Sequence, residues 1–125
     1  MTAERQALGI VGERVAARWL LRQGWVLVAH RFRTGHRDID LVMRRGRLVA
    51  FVEVKTRRGE RFGVPVSAVG WRKQRELATG AAIWVARHGS PAMRYRFDVI
   101  GVAVIGQNVR IEHVKDAFSV EKFLR

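Results

Sequence analysis

A formal charge of +13 on 125 residues points to a polyanionic partner, because a strongly basic domain is the electrostatic footprint of nucleic-acid binding. The chain has no cysteine, which excludes disulfides and thiolate metal sites, and its longest apolar run, "AAIWVA" (Ala81 to Ala86), is too short to span a bilayer. This length predicts a single domain over residues 1–125, large enough to bury a core without staples. With acids and no apolar signal core at the start, the expectation is a cytoplasmic protein with no membrane partner.

In chain order, Leu8, Val11, Val15 and Trp19 recur at helical spacing and predict a helix from about Ala3 to Gln23, stopped at Gly24. "WVLVAHRFR" (Trp25 to Arg33) reads as a strand. "DIDLVMR" (Asp38 to Arg44) and "RLVAFVEVKTR" (Arg47 to Arg57) read as alternating strands joined at Gly46. "RRGERFGVPV" reads as a loop, and Ser67 as the cap of a second helix running to about His88. "MRYRFDVIGVAVI" (Met93 to Ile105) and "VRIEHV" (Val109 to Val114) predict two more strands, with an ambiguous tail, "KDAFSVEKFLR", after them. Strands in the middle and helices outside define an α/β class with a central mixed sheet flanked by helices.

Acids are scarce, so their gathering on the central hairpin is informative. Side chains alternate along a strand, which puts Glu53 and Lys55 on one face with Val49 and Phe51, and Asp38 with Asp40 opposite Ile39, Leu41 and Met43. If Arg45-Gly46 forms the two-residue turn, Asp40 lies opposite Phe51; if Gly46-Arg47 forms it, glycine first as a type II′ turn prefers, Asp40 lies opposite Glu53. Either register places Asp40, Glu53 and Lys55 on one face. Cross-strand neighbours are roughly 5 Å apart, or 7–8 Å on the diagonal, and like charges at that range destabilise a sheet. Two resolutions are open. The face is solvated, with Glu53 and Lys55 an ordinary ion pair of small worth, or a cation sits between the acids. Oxygen-only donors suit Mg²⁺ or Mn²⁺, and such an ion with a lysine beside it is equipment for phosphodiester hydrolysis.

Other residues can complete or extend this site. Glu13 lies at the edge of the first helix's apolar stripe among Gly9, Ala16 and Ala17, small neighbours that would let the helix approach the sheet. Lys73 falls in line with Leu77 and Trp84, with Gln74 beside that stripe; its ammonium either snorkels to the rim or points across the sheet at phosphate. Arg57, Arg58 and Arg61, in the segment leaving the suspected site, are candidates for phosphate contacts. His36 is a loop histidine near Asp38. Trp19 and Trp84 are expected in the core, and Trp71 is expected to pack, with stacking on an unpaired base as the alternative.

The motifs "GERVAARWLLRQGWVLVAHRFR", "DIDLV", "FVEVKTRRGERFGVPVSAV", Lys73 and "RFDVIGV", in that order, resemble the bacterial YraN family, small proteins with a restriction-endonuclease-like fold similar to archaeal Holliday junction resolvases. The resemblance runs from Gly12 to Val102 and implies a PD-(D/E)XK nuclease core. It implies that Asp40, Glu53 and the Val54 carbonyl hold Mg (or Mn), that Lys55 acts on water or phosphate, and that Glu13 is the helix acid of resolvase-like members. Where the family reads "GEIDL" this chain reads "RDIDL", so Arg37 suggests a different backbone turn or an extra phosphate contact, and Asp38 is a carboxylate of shorter reach. Asp38, Gln74 and Asp98 carry no assigned role. The expected function is a Mg-dependent endonuclease acting on DNA, with branched structures as its implied substrates and a homodimer by analogy. The rivals are a non-catalytic nucleic-acid-binding module and a protein-interaction subunit of a DNA-processing assembly.

Overall fold

In a computed structural model of the chain, the structure describes residues 2–35, 37–59 and 69–119. The order is α1 (Ala3–Leu21), β1 (Val26–Thr34), β2 (Arg37–Arg45), β3 (Leu48–Arg58), α2 (Trp71–His88), β4 (Arg94–Ile105) and β5 (Asn108–Phe118). The five strands form one sheet in sequence order, antiparallel except for the parallel β3–β4 pair that α2 connects. The expected α/β class with a mixed sheet is what the chain adopts. No helix among the described residues is long and apolar enough to cross a membrane.

The helices cover opposite faces of the sheet. Leu77, Ala81 and Trp84 of α2 pack with Ile39, Val42, Val49, Phe51, Phe97 and Val99. Ala16 and Leu20 of α1 pack with Leu41, Met43, Ala50, Val52, Ile100 and Val102. A central sheet covered on both sides needs apolar residues on both faces of its inner strands, and the nearly continuous apolar runs of β3 and β4 provide them.

Several local expectations are corrected or refined. The stripe Leu8-Val11-Val15-Trp19 is not the buried line of α1; Gly12, Glu13, Ala16 and Leu20 are, and Val11 is 48% exposed. Close approach decides this. A Cβ on Gly12 would overlap Thr56 Oγ1 of β3, so the small residues face the sheet and the larger ones flank the contact. The second helix begins at Trp71 behind Gly70, which makes no side-chain cap bond; Ser67 lies outside the described residues. Trp71 is 61% exposed rather than buried. Thr56, Arg57 and Arg58 belong to β3, paired with Val102, Ala103 and Val104, and β5 extends through Phe118, absorbing part of the ambiguous tail.

Candidate active site

The β2–β3 turn is Gly46-Arg47, closed by the Arg45–Leu48 pair, with Gly46 at φ +62° and Arg47 on the ordinary side of the map, as a type II′ turn requires. This register aligns Asp40 with Glu53, but the ladder ends at Leu41–Val52. Beyond it, among the described residues, β3 pairs with β4 alone. The opening between β2 and β3 is where the acids meet.

Strict alternation fails at this opening. Ile39 lies in the cluster under α2, whereas Leu41 lies in the cluster under α1, so β2 changes phase at Asp40. Across the strand pair, Arg31 takes φ +52°, between the pairs His30–Leu41 and Phe32–Ile39. A left-handed conformation at a non-glycine costs about 1–3 kcal/mol and tends to collect at functional sites. The expectation that Asp40 rides on the face of Glu53 is therefore corrected. Glu53 continues the Val49–Phe51 face toward α2, and Asp40 reaches it from the gap between the strands.

In that gap, Val54 N–H donates to Asp40 Oδ2 at 2.8 Å, a side chain replacing the missing strand partner. Burial, then repulsion from Glu53 and a hydrogen bond with it, push the Asp40 carboxyl up to about 9, against the opposing pull of the Val54 N–H. Glu53 is 4% exposed, and both Lys55 Nζ and Lys73 Nζ stand 3.6 Å from its Oε2. The apolar stripe of α2 thus brings Lys73 across the sheet to the carboxylate.

Glu13 is also buried, 7% exposed, because Gly12 sets α1 directly on β3. Its Oε1 accepts from Arg31 Nε at 3.1 Å and lies 2.8 Å from His30 Nε2, while Oε2 accepts from Arg31 Nη2 at 3.3 Å. Hydrogen bonding to Glu13, and then its charge, raise the Arg31 guanidinium further above its usual range. Glu13, Asp38 and Asp40 line one cavity of about 530 Å³ between α1 and the β1–β2 pair, together with Arg5, Arg31 and Arg33.

Among the described residues no three His, Cys, Asp or Glu side chains are grouped as a metal cluster. Glu13 is occupied by His30 and Arg31. Two carboxylates held in contact, one of them forced toward its protonated form, nevertheless fit a divalent cation with oxygen preference, which would replace the proton that relieves their repulsion.

The remaining expected residues fall in several places. Arg37 is partly buried and pairs with Thr34; Arg57 and Arg58 are exposed on β3 beyond the opening. Arg61 and His36 lie outside the described residues. Gln74 donates to the Val69 carbonyl at 2.8 Å, and its buried Oε1 has no partner among the described residues. Asp98 sits apart, 1% exposed, accepting both nitrogens of the Arg96 fork at 2.9 and 3.0 Å and the Asp116 N–H at 3.0 Å, with His113 Nε2 at 2.7 Å. It braces β4 to β5. Composition did not single out Arg31 or His30, although "HRFR" just before the acidic strand was the available signal.

A profile of the family described as "Uncharacterised protein family UPF0102" matches residues 12–102. A UPF0102 protein of Syntrophotalea carbinolica is 41% identical over 97% of this chain and 98% of its own length. Another, from Alkaliphilus metalliredigens, is 39% identical over 90% of this chain and 98% of its own length. A third, from Nocardia farcinica, is 40% identical over 92% and 91%. The chain is an α/β protein with a carboxylate pair at a strand opening, and it belongs to the UPF0102 family, the YraN-like group that its motifs resemble.

Proposed function

We propose that the protein is a divalent-metal-dependent nuclease of the PD-(D/E)XK type, hydrolysing phosphodiester bonds of DNA. The observation that carries this reading is the meeting of Asp40 and Glu53 where β2 parts from β3, with Lys55 and Lys73 both at Glu53. Three antiparallel strands followed by a helix and a parallel fourth strand support the restriction-endonuclease-like fold and the likeness to junction resolvases, and the charge of +13 supports a nucleic-acid partner.

Asp40, Glu53 and the Val54 carbonyl would hold Mg²⁺ or Mn²⁺. When bound, the ion supplies Lewis-acid polarisation of the phosphoryl oxygen and a water acidified toward neutral pH. The Val54 N–H fixes Asp40 through Oδ2. Lys55 and Lys73 balance Glu53 and can turn to a phosphate oxygen, since each side chain is 36% exposed. Arg37, Arg57, Arg58 and Arg61 would contact flanking phosphates, and two copies of the chain would serve the two strands of a branched substrate.

A second reading is favoured by the two lysines on one oxygen of Glu53, which neutralise it without metal. On that reading the fold is a nucleic-acid-binding or protein-interaction module. Purified protein assayed with MgCl₂ or MnCl₂ on duplex, single-stranded and branched DNA separates the two. The nuclease reading expects cleavage that EDTA removes, and that Glu53→Ala or Lys55→Ala abolishes while binding persists. Salt-sensitive binding with no cleavage of any substrate favours the module.

A further inference from the structure

The cavity beside Asp40 is lined by side chains of both signs. Asp38, Asp40 and Glu13 supply carboxylates; Arg5, Arg31 and Arg33 supply guanidiniums. Arg31 commits Nε and Nη2 to Glu13, yet its side chain remains 47% exposed and has further donors. Arg5, on the first turns of α1, and Arg33, on β1, are exposed. Among the described residues neither side chain holds a carboxylate.

We propose that Arg5, Arg31 and Arg33 form a phosphate subsite in this cavity, receiving the phosphodiester next to the one held at Asp40 and Glu53. The proposal rests on the nuclease reading for the chemistry of its ligand. Guanidinium forks match phosphate oxygens in two-point geometry. The ordered member, Arg31, is held by Glu13 and by its left-handed backbone at the mouth of the acid pair. Arg5 and Arg33 close on the anion from α1 and β1. Glu13 thereby has a use other than ligation: it positions Arg31.

At about 530 Å³, the cavity is within the size range of small-ligand pockets and holds a nucleotide-sized group rather than a duplex. The subsite therefore takes one nucleotide unit of a strand. Gly9 and Ile10 form part of the α1 wall, and a Cβ added at Gly9 meets nothing within 4 Å, so a side chain can be introduced at that position.

The test is titration of ¹⁵N-labelled protein with a 5′-phosphorylated thymidine dinucleotide in EDTA, so that neither metal nor cleavage enters. The Nε–H signals of Arg31 and Arg33 are expected to shift. The double variant Arg5→Ala/Arg33→Ala should bind at least ~10-fold more weakly, with a shallower salt dependence. Gly9→Phe should block binding with all charges in place. Unshifted arginine signals, or a double variant that binds as the wild type does, would overturn the subsite. Dinucleotide binding that needs these arginines in a protein that cuts nothing would keep the subsite and remove the nuclease reading. Cleavage accompanied by dinucleotide binding indifferent to Arg5 and Arg33 would do the reverse.

Discussion

The Val54 main-chain N–H donates to Asp40 Oδ2 at 2.8 Å, at the point where β3 has lost β2 as a partner. The same carboxyl faces Glu53, so it satisfies a backbone donor while incurring repulsion from a second acid. These two roles can be separated by substitution. Asparagine keeps an acceptor for Val54 and removes the charge. Alanine removes both.

Without added metal, Asp40→Asn is expected to be as stable as the wild type or more so, by about 1 kcal/mol, a rise in Tm of roughly 4 °C. Asp40→Ala leaves Val54 N–H unsatisfied and should lose about 1–3 kcal/mol. Both variants should lose Mg²⁺-dependent cleavage. Thermal melts in EDTA measure the first contrast, and an Asn variant less stable than the Ala variant would contradict the assigned geometry.

The raised Asp40 value gives a pH dependence with a definite sign. The folded state keeps a proton up to about 9, whereas an unfolded aspartate releases it near roughly 3.9. Between these values the native state binds more protons, so this group's contribution to stability falls as pH rises. Melts of the wild type minus those of Asp40→Asn, in EDTA, should show a difference that grows against the wild type from pH 5 to pH 9. Cation and proton compete for the same oxygens, so the Tm increase from Mg²⁺ should be larger at pH 8.5 than at pH 6, and chelation should remove it.

Much of this was legible in the sequence because it depends on period and turn chemistry. The order of elements, the mixed sheet and a turn at Gly46 follow from such local signals, while the choice of Gly46-Arg47 over Arg45-Gly46 comes from the register. What the sequence concealed depends on departures from period. Asp40 sits where β2 changes phase, and only the partition of Ile39 and Leu41 between two clusters reveals it. The buried line of α1 was misplaced for a related reason, since hydrophobicity marks Val11 while contact distance selects Gly12. Arg31 and His30 carry no pattern of their own; they matter because Glu13 is brought to them by the packing of α1.

The α1–β3 contact makes Gly12 a sensitive position. Gly12→Ala would raise helix propensity by about 1 kcal/mol in isolation, but the new methyl would overlap the Thr56 side chain. Overpacking of this kind costs typically 1–3 kcal/mol, so net destabilisation is expected, together with weaker placement of Glu13. Thr56→Ala removes Oγ1 and Cγ2 and should restore part of the loss. A double-mutant cycle by urea denaturation should give a favourable coupling above ~0.5 kcal/mol; strict additivity would show that the two positions do not touch.

Asp98 tests whether the second buried acid is a brace rather than part of the site. Burial alone would raise its carboxyl, but His113, Arg96 and the Asp116 N–H outweigh burial and hold it below the usual range. Its stabilisation is present above the unfolded carboxylate pKa and is lost as pH falls through the lower folded value. Asp98→Ala leaves the Arg96 fork, 19% exposed, without its partner, and a one-sided deletion of a buried pair costs about 3–5 kcal/mol. The expected result is a large loss of stability at pH 7 that narrows below pH 3, with nucleic-acid affinity per folded molecule unchanged. Urea melts at the two pH values, with binding measured where the variant is folded, check both halves. An Asp98→Asn variant that keeps full stability but loses cleavage would instead place this carboxylate in the chemistry.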